Sequence, residues 1–219
     1  IPAATAAWAT VAILIVWGRR ALGAPVALCA GLVLATTFSF IYVHAGRSAN
    51  TDALFALIVL ATVVILWAAR ARPWKAVWLG PVMAAGFLLK GTGVLLPLSI
   101  VAIVEAAPLW RRPGRWSALL VALLWAVIPI GLWAVARWNL DQGRFFAAMF
   151  GVDFIGSIFD SLDGHSGSAL YYLHVLQKDQ YDWIVASLVA WVVFRPSWRS
   201  PAGARLSDDD RALVWLIGA

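Results

Sequence analysis

Charge is scarce in this chain: Asp, Glu, Lys and Arg make up 13% of its 219 residues, against 63% hydrophobic. An average soluble domain is about 25% charged and about 45–50% apolar, so the scarcity sets a water-soluble fold aside. Cysteine is nearly absent. Cys29 stands alone inside an apolar run, which leaves neither an internal disulfide nor a cysteine-rich metal site. A continuous basic stripe is missing too. The net charge of +6 comes from short clusters between apolar runs, so the footprint of a nucleic-acid partner is lacking. There is no repeat of fixed period, and no n-region or cleavage site of a signal peptide. Both ends are read as cut, because the chain opens in apolar sequence at Ile1-Pro2 and closes at Ala212 to Ile217 in the start of another run.

Long hydrophobic runs are what the chain has. They extend roughly from Pro2 to Trp17, Ala24 to Val43, Asp52 to Ala69, Trp74 to Leu89, Thr92 to Ala107, Trp116 to Ala136 and Trp183 to Phe194, with another starting near Ala212. A helix needs about 20 apolar residues to cross the hydrocarbon core. In lipid every backbone N–H and C=O must be paired within the protein, so runs of this kind are helices. The expectation is an all-α, polytopic transmembrane bundle of about seven spans plus a truncated eighth. Residues 1–219 then form one partial membrane domain, with an outer-face loop segment at 137–180. The fourth, fifth and seventh runs are short, and the two flanking Lys90-Gly91-Thr92-Gly93 are readable as a broken pair.

Orientation follows from Lys and Arg, which are retained on the cytoplasmic side. One set of alternate loops holds Arg19, Arg20, Arg70, Arg72, Lys75, Arg111, Arg112, Arg115, Arg195, Arg199, Arg205 and Arg211. The other holds Arg47, Lys90, Arg137, Arg144 and Lys178, a split of 12 to 5 that accounts for all 17. The first set is read as cytoplasmic. The same alternation puts His44, His165, His174, Asp52, Asp141 and most of the other Asp residues outside. The segment from Arg137 to Gln180 is too long for a mere connector, and its Phe145-Phe146 and Tyr171-Tyr172 pairs favour an ordered segment lying at the interface. Fourteen Trp, many near run ends, fit aromatic belts.

Three constellations could carry chemistry. In His44-Ala-Gly-Arg47-Ser-Ala-Asn50-Thr51-Asp52, the local reading is that Asn50 or Thr51 caps the third helix and Asp52 favours the positive end of its dipole. The functional reading is that Arg47 and Asp52 line a site at the outer membrane surface. In Gly86-Phe-Leu-Leu-Lys90-Gly91-Thr92-Gly93, one lysine interrupts an apolar stretch. It either snorkels to water or meets a phosphate, helped by backbone N–H groups of a helix beginning near Thr92. A P-loop is ruled out, because that motif needs Gly-Lys-Ser/Thr after a strand. In Asp160-Ser-Leu-Asp163-Gly164-His165-Ser166-Gly167-Ser168-Ala-Leu-Tyr171-Tyr172-Leu-His174, the two His lie nine positions apart. That is no recognised zinc spacing, so no metal is assigned, and a substrate-lining loop containing His165, Tyr171 and Tyr172 is preferred.

Taken together, the basic residue followed by Asp52 in a short outer turn, the Lys90-Gly91 pair between two apolar helices, and Gly164-His165-Ser166-Gly167 before Tyr171-Tyr172 resemble the polyprenyl-phosphate-dependent glycosyltransferases of the GT-C fold. The protein mannosyltransferases and the aminoarabinose transferases of lipid A are the relatives in view, and the resemblance runs from Ala24 to about Trp183. It implies a membrane enzyme that moves a sugar from a polyprenyl-phosphate carrier to a lipid, glycan or protein acceptor on the outer face of the cytoplasmic membrane, without a cofactor. By that resemblance Asp52 is the second acid of the site, and Arg47 and Lys90 face the donor phosphate. Family members carry the principal acid in a long outer loop after the first transmembrane helix. The main base is therefore expected upstream of Ile1, and residues 1–219 alone are expected to be inactive. The family's third motif often has Pro near the position of Ser168. Two other classes remain readable: a transporter or flippase for a lipid-linked or anionic substrate, with Lys90 at a broken helix as the binding cation, and a non-catalytic membrane scaffold.

Overall fold

The computed structural model describes residues 2–37, 40, 51–109, 113–151, 181, 183 and 185. Ile1–Ser168 form one compact unit and Ala169–Ala219 a second; in the second, only Tyr181, Trp183 and Val185 are described, all helical. In the first unit the described regular structure is entirely helical. Its elements are α1 (Pro2–Ala21), α2 (Ala24–Thr36), α3 (Asp52–Ala71), a 3-10 segment (Pro73–Trp78) leading into α4 (Leu79–Lys90), a 3-10 turn (Gly91–Val94), α5 (Leu95–Leu109), α6 (Pro113–Asp141) and the short α7 (Arg144–Ala147). Pro25, Pro73 and Pro113 stand in the first turn of their elements, where an N–H has no intrahelical acceptor and a fixed φ is already helical.

Helices α1, α3, the stretch Pro73–Ala106 and Gly114–Asp141 are long and apolar enough to cross a membrane, and Ala24–Thr36 is a shorter apolar helix. The chain is thus an all-α membrane bundle. At about 1.5 Å per residue, the 29 residues of α6 reach roughly 43 Å, so the helix must tilt or project beyond a hydrocarbon core of about 30 Å. Side-chain burial is inverted relative to a soluble protein. On α6, Leu124 is 58% exposed and Leu132 69%, whereas Ala118, Ala122 and Ala126 are buried. Small residues at i, i+4 and i+8 let neighbouring helices approach where hydrophobic exclusion offers no drive. Gly80 marks the closest approach: a Cβ there would lie 2.2 Å from the Ala122 carbonyl oxygen and 2.7 Å from Trp125 Cβ. Hydroxyls within helices bond backward, Thr10 Oγ1 donating to Ala6 O at 2.8 Å and Thr62 Oγ1 to Ile58 O at 2.9 Å, so neither is left dry.

Two clusters establish the direction of each helix. Ala3, Ala6 and Ala7 of α1 pack with Ala53 at the start of α3, and Trp17 meets Trp67 edge-on with centroids 5.9 Å apart, so α1 and α3 run parallel. At the far end of α3, Leu66 and Ala69 pack with Ala76, Leu79, Ala118 and Ala122, and Ile100, Val101 and Val104 of α5 lie against the same cluster. A continuous helix would separate Leu79 from Val101 by about 33 Å. The stretch Pro73–Ala106 therefore reverses at its middle, α4 returning to the start of α3 and α5 descending again. Gly91, with φ 54°, supplies the backbone conformation that ends α4.

Several boundaries differ from those read in the sequence. The second helix is described over Ala24–Thr36, after which Thr37 is extended, at φ −64° and ψ 119°, its hydroxyl bonding back to Val33 O at 2.7 Å; residues 38, 39 and 41–43 of that run lie outside the described residues. The fourth run begins as a 3-10 segment, and α5 begins at Leu95 instead of near Thr92. Thr51 is the N-cap of α3 but makes no side-chain capping hydrogen bond, and Asn50 lies outside the described residues. The runs from Trp183 to Phe194 and from Ala212 also lie outside them, apart from Trp183 and Val185.

Candidate functional site

Antiparallel neighbours bring the first turn of one helix beside the last turn of the other. Asp52 occupies the first turn of α3 and Lys90 the last turn of α4, so each charge complements its own helix dipole and the two face each other. Lys90 Nζ donates to Asp52 Oδ1 and forms an ion pair with it. The ammonium also stands 5.2 Å from the ring centroid of Phe55, one turn beyond Asp52 on the same face of α3. Lys90 is 43% exposed and Asp52 21%, which leaves the pair open on one side.

The segment after α6 closes over this end of the bundle. Gln142 (φ 56°) and Gly143 (φ 85°) turn the chain back, and Phe145 and Phe146 lie against Trp133 at centroid distances of 5.5 and 5.7 Å. Trp133 in turn meets Phe87 of α4 at 6.1 Å. Met149 is buried, its Sδ 3.3 Å from where a Cβ on Gly91 would stand. Residues 137–141, read from sequence as the start of a loop segment, continue α6, and Arg144–Ala147 form α7. Arg137 lies over the Phe145 ring at 4.7 Å, and its Nε is 2.8 Å from Asp141 Oδ2, an ion-pair distance without hydrogen-bond alignment.

Asp52 and Lys90, chosen from sequence, are therefore in contact. Arg47, His165, Tyr171 and Tyr172 lie outside the described residues, as do His44 and His174. Among the described residues no three His, Cys, Asp or Glu side chains converge on a point that would hold a metal ion. Residues 1–156 match the family model for dolichyl-phosphate-mannose-protein mannosyltransferases. The chain belongs to that family. No curated protein and no solved structure matches it. As a member of the mannosyltransferase family it is a multi-pass membrane glycosyltransferase of the GT-C type. Asp52, Phe55, Lys90 and Met149 all fall within the matched span, whereas His165, Tyr171 and Tyr172 lie beyond it.

Sequence reasoning missed Phe55, whose signal was its position three residues after Asp52. It also missed a buried pair at the opposite end of the bundle. Arg115 Nη2 donates to Glu105 Oε1, and both side chains are 1% exposed. Arg115 is therefore more than a loop cation: it stands in the first turn of α6, sequestered by the single Glu of the chain, which sits within the apolar fifth helix.

Proposed function

We propose that the protein transfers a sugar from a polyprenyl-phosphate carrier to an acceptor on the outer face of the cytoplasmic membrane. Lys90 and Arg47 receive the carrier phosphate, Asp52 is the second acid, and His165, Tyr171 and Tyr172 line the acceptor side. The acceptor, a lipid, glycan or protein, contributes a hydroxyl whose oxygen bonds to the anomeric carbon. The bond from that carbon to the phosphate oxygen breaks, its electron pair leaves with the phosphate, and the hydroxyl proton passes to a carboxylate base. Charge grows on the departing phosphate, so a cation placed there binds the transition state more tightly than the ground state.

The observation that carries this reading is the Lys90–Asp52 pair. An ammonium that served only to reach water from a helix end would need no carboxylate and no aromatic ring beside it. Here an exposed cation is held at the end of an apolar helix, next to an acid, within the span that matches the family. The outer-face assignment is supported by the unequal division of basic residues between alternate loops.

The test is Lys90→Gln in the full-length protein assayed in native membranes, with rates normalised to inserted protein. A charge-assisted contact to the departing phosphate is worth about 1.5–3 kcal/mol. Its loss lowers the transfer rate roughly 10- to 150-fold. Lys90→Arg recovers part of the rate, because a planar guanidinium places its charge differently. Wild-type turnover in correctly inserted Lys90→Gln protein overturns the assignment.

A further inference from the structure

Resting on the reading of Lys90 as the donor-phosphate cation, we propose that this ammonium has two seats: a permanent one on the Phe55 ring and an exchangeable one on Asp52. The donor's phosphate takes the exchangeable seat. Donor binding then detaches Asp52 from Lys90, so the carrier phosphate and the second acid compete for one cation.

The argument starts from the first turn of α3, where Asp52 and Phe55 lie one turn apart and both address Lys90. A lysine ammonium is a compact point charge. A phosphate that reached it while Asp52 stayed bound would bring two anions within a few ångströms of each other, and like charges at such separation oppose binding. Displacing the carboxylate removes that opposition at small cost, because a pair this exposed, 43% and 21%, is weak in water. The Phe55 ring carries no net charge and competes with neither anion. Its face attracts the ammonium in both states, so Lys90 keeps its position while its anionic partner changes.

The surrounding packing confines the exchange to side chains. Gly91 ends α4 directly after Lys90 with φ 54°, Met149 closes against Gly91, and the Phe87–Trp133 contact holds the preceding turn to α6. The helix end is thereby fixed, and the exchange is one of side chains.

The experiment titrates a polyprenyl monophosphate, without sugar, against the full-length protein in nanodiscs. The variants are Asp52→Asn, Lys90→Gln, their double, Phe55→Leu and Phe55→Tyr, each confirmed monodisperse with an unchanged melting midpoint. Asp52→Asn tightens binding by roughly two- to fivefold, the strength of an exposed pair, and the gain vanishes in the Lys90→Gln background. Phe55→Leu weakens binding by roughly two- to fivefold, and Phe55→Tyr restores it, because tyrosine keeps the ring face. Two results overturn the proposal: unchanged or weaker binding by Asp52→Asn, or a gain of full size that persists without Lys90, which is simple repulsion. If Lys90→Gln alone binds the probe like wild type, the donor-phosphate reading of Lys90 itself has failed, an outcome distinct from failure of the exchange.

Discussion

Replacing Glu105 with Gln tests whether the Arg115 end of the bundle is held by charge. Glu105 lies near the C-terminal end of α5 and Arg115 in the first turn of α6. Each charge therefore opposes its own helix dipole, by about 0.3–1 kcal/mol. Both side chains are 1% exposed, and Glu105 Oε2 and Arg115 Nε find no hydrogen-bond partner among the described residues. Each ion is the other's counter-charge out of water. Glu105→Gln leaves the guanidinium buried and uncompensated, and removal of one partner of such a pair costs about 3–5 kcal/mol. The exchange Glu105→Arg with Arg115→Glu restores the pair and places each charge on the favoured end of its helix, so it recovers stability over either single variant. Replacing both, Glu105→Leu with Arg115→Met, is neutral or stabilising by about 1–4 kcal/mol, because no charge is then desolvated. Reversible unfolding in mixed micelles, followed by tryptophan fluorescence across these variants, measures each difference. A Glu105→Gln protein that unfolds within error of wild type would refute the reasoning, since it would mean that water reaches Arg115.

Reporters fused after Arg72 and Arg115 are expected to read cytoplasmic and one near Gly164 external; an external signal at Arg115 removes the outer-face assignment. Gly80→Val forces α4 and α6 apart, since even a Cβ would meet Ala122 O at 2.2 Å, and lowers stability by about 1–3 kcal/mol in the same unfolding assay; unchanged stability would mean that the helices do not cross there. Gly91→Ala places a side chain at φ 54° and ψ −120°, outside the left-handed helical region, at a cost of about 1–3 kcal/mol, so the melting midpoint of the purified protein falls, and an unaltered midpoint contradicts the reversal at that residue.

Much of this architecture was legible along the chain. Apolar runs became helices because lipid offers the backbone no other hydrogen-bond partner. The basic residues described at the C-terminal end of α3, among them Arg70, Arg72 and Lys75, separate from Lys90, Arg137 and Arg144 at the opposite end, as alternation of spans requires. Asp52 and Lys90 were visible as costly charges interrupting apolar sequence. Their contact was not: the residues are 38 apart, and only the antiparallel packing of α3 and α4 makes them neighbours. The same holds for Phe55, which reads as one more apolar residue until an ammonium is set over its ring, and for Met149, which reaches Gly91 only because the chain turns back at Gln142-Gly143. Arg115 shows the limit most clearly. Composition and spacing counted it correctly as a basic residue, and packing against Glu105 decided that it would be buried. Charge and hydropathy are properties of single residues and their intervals, so sequence alone determined that this is a membrane helix bundle and which of its charges are out of place. Which charge meets which partner depends on helix direction and on the approach that small residues such as Gly80 permit, and those exist only once the helices have packed.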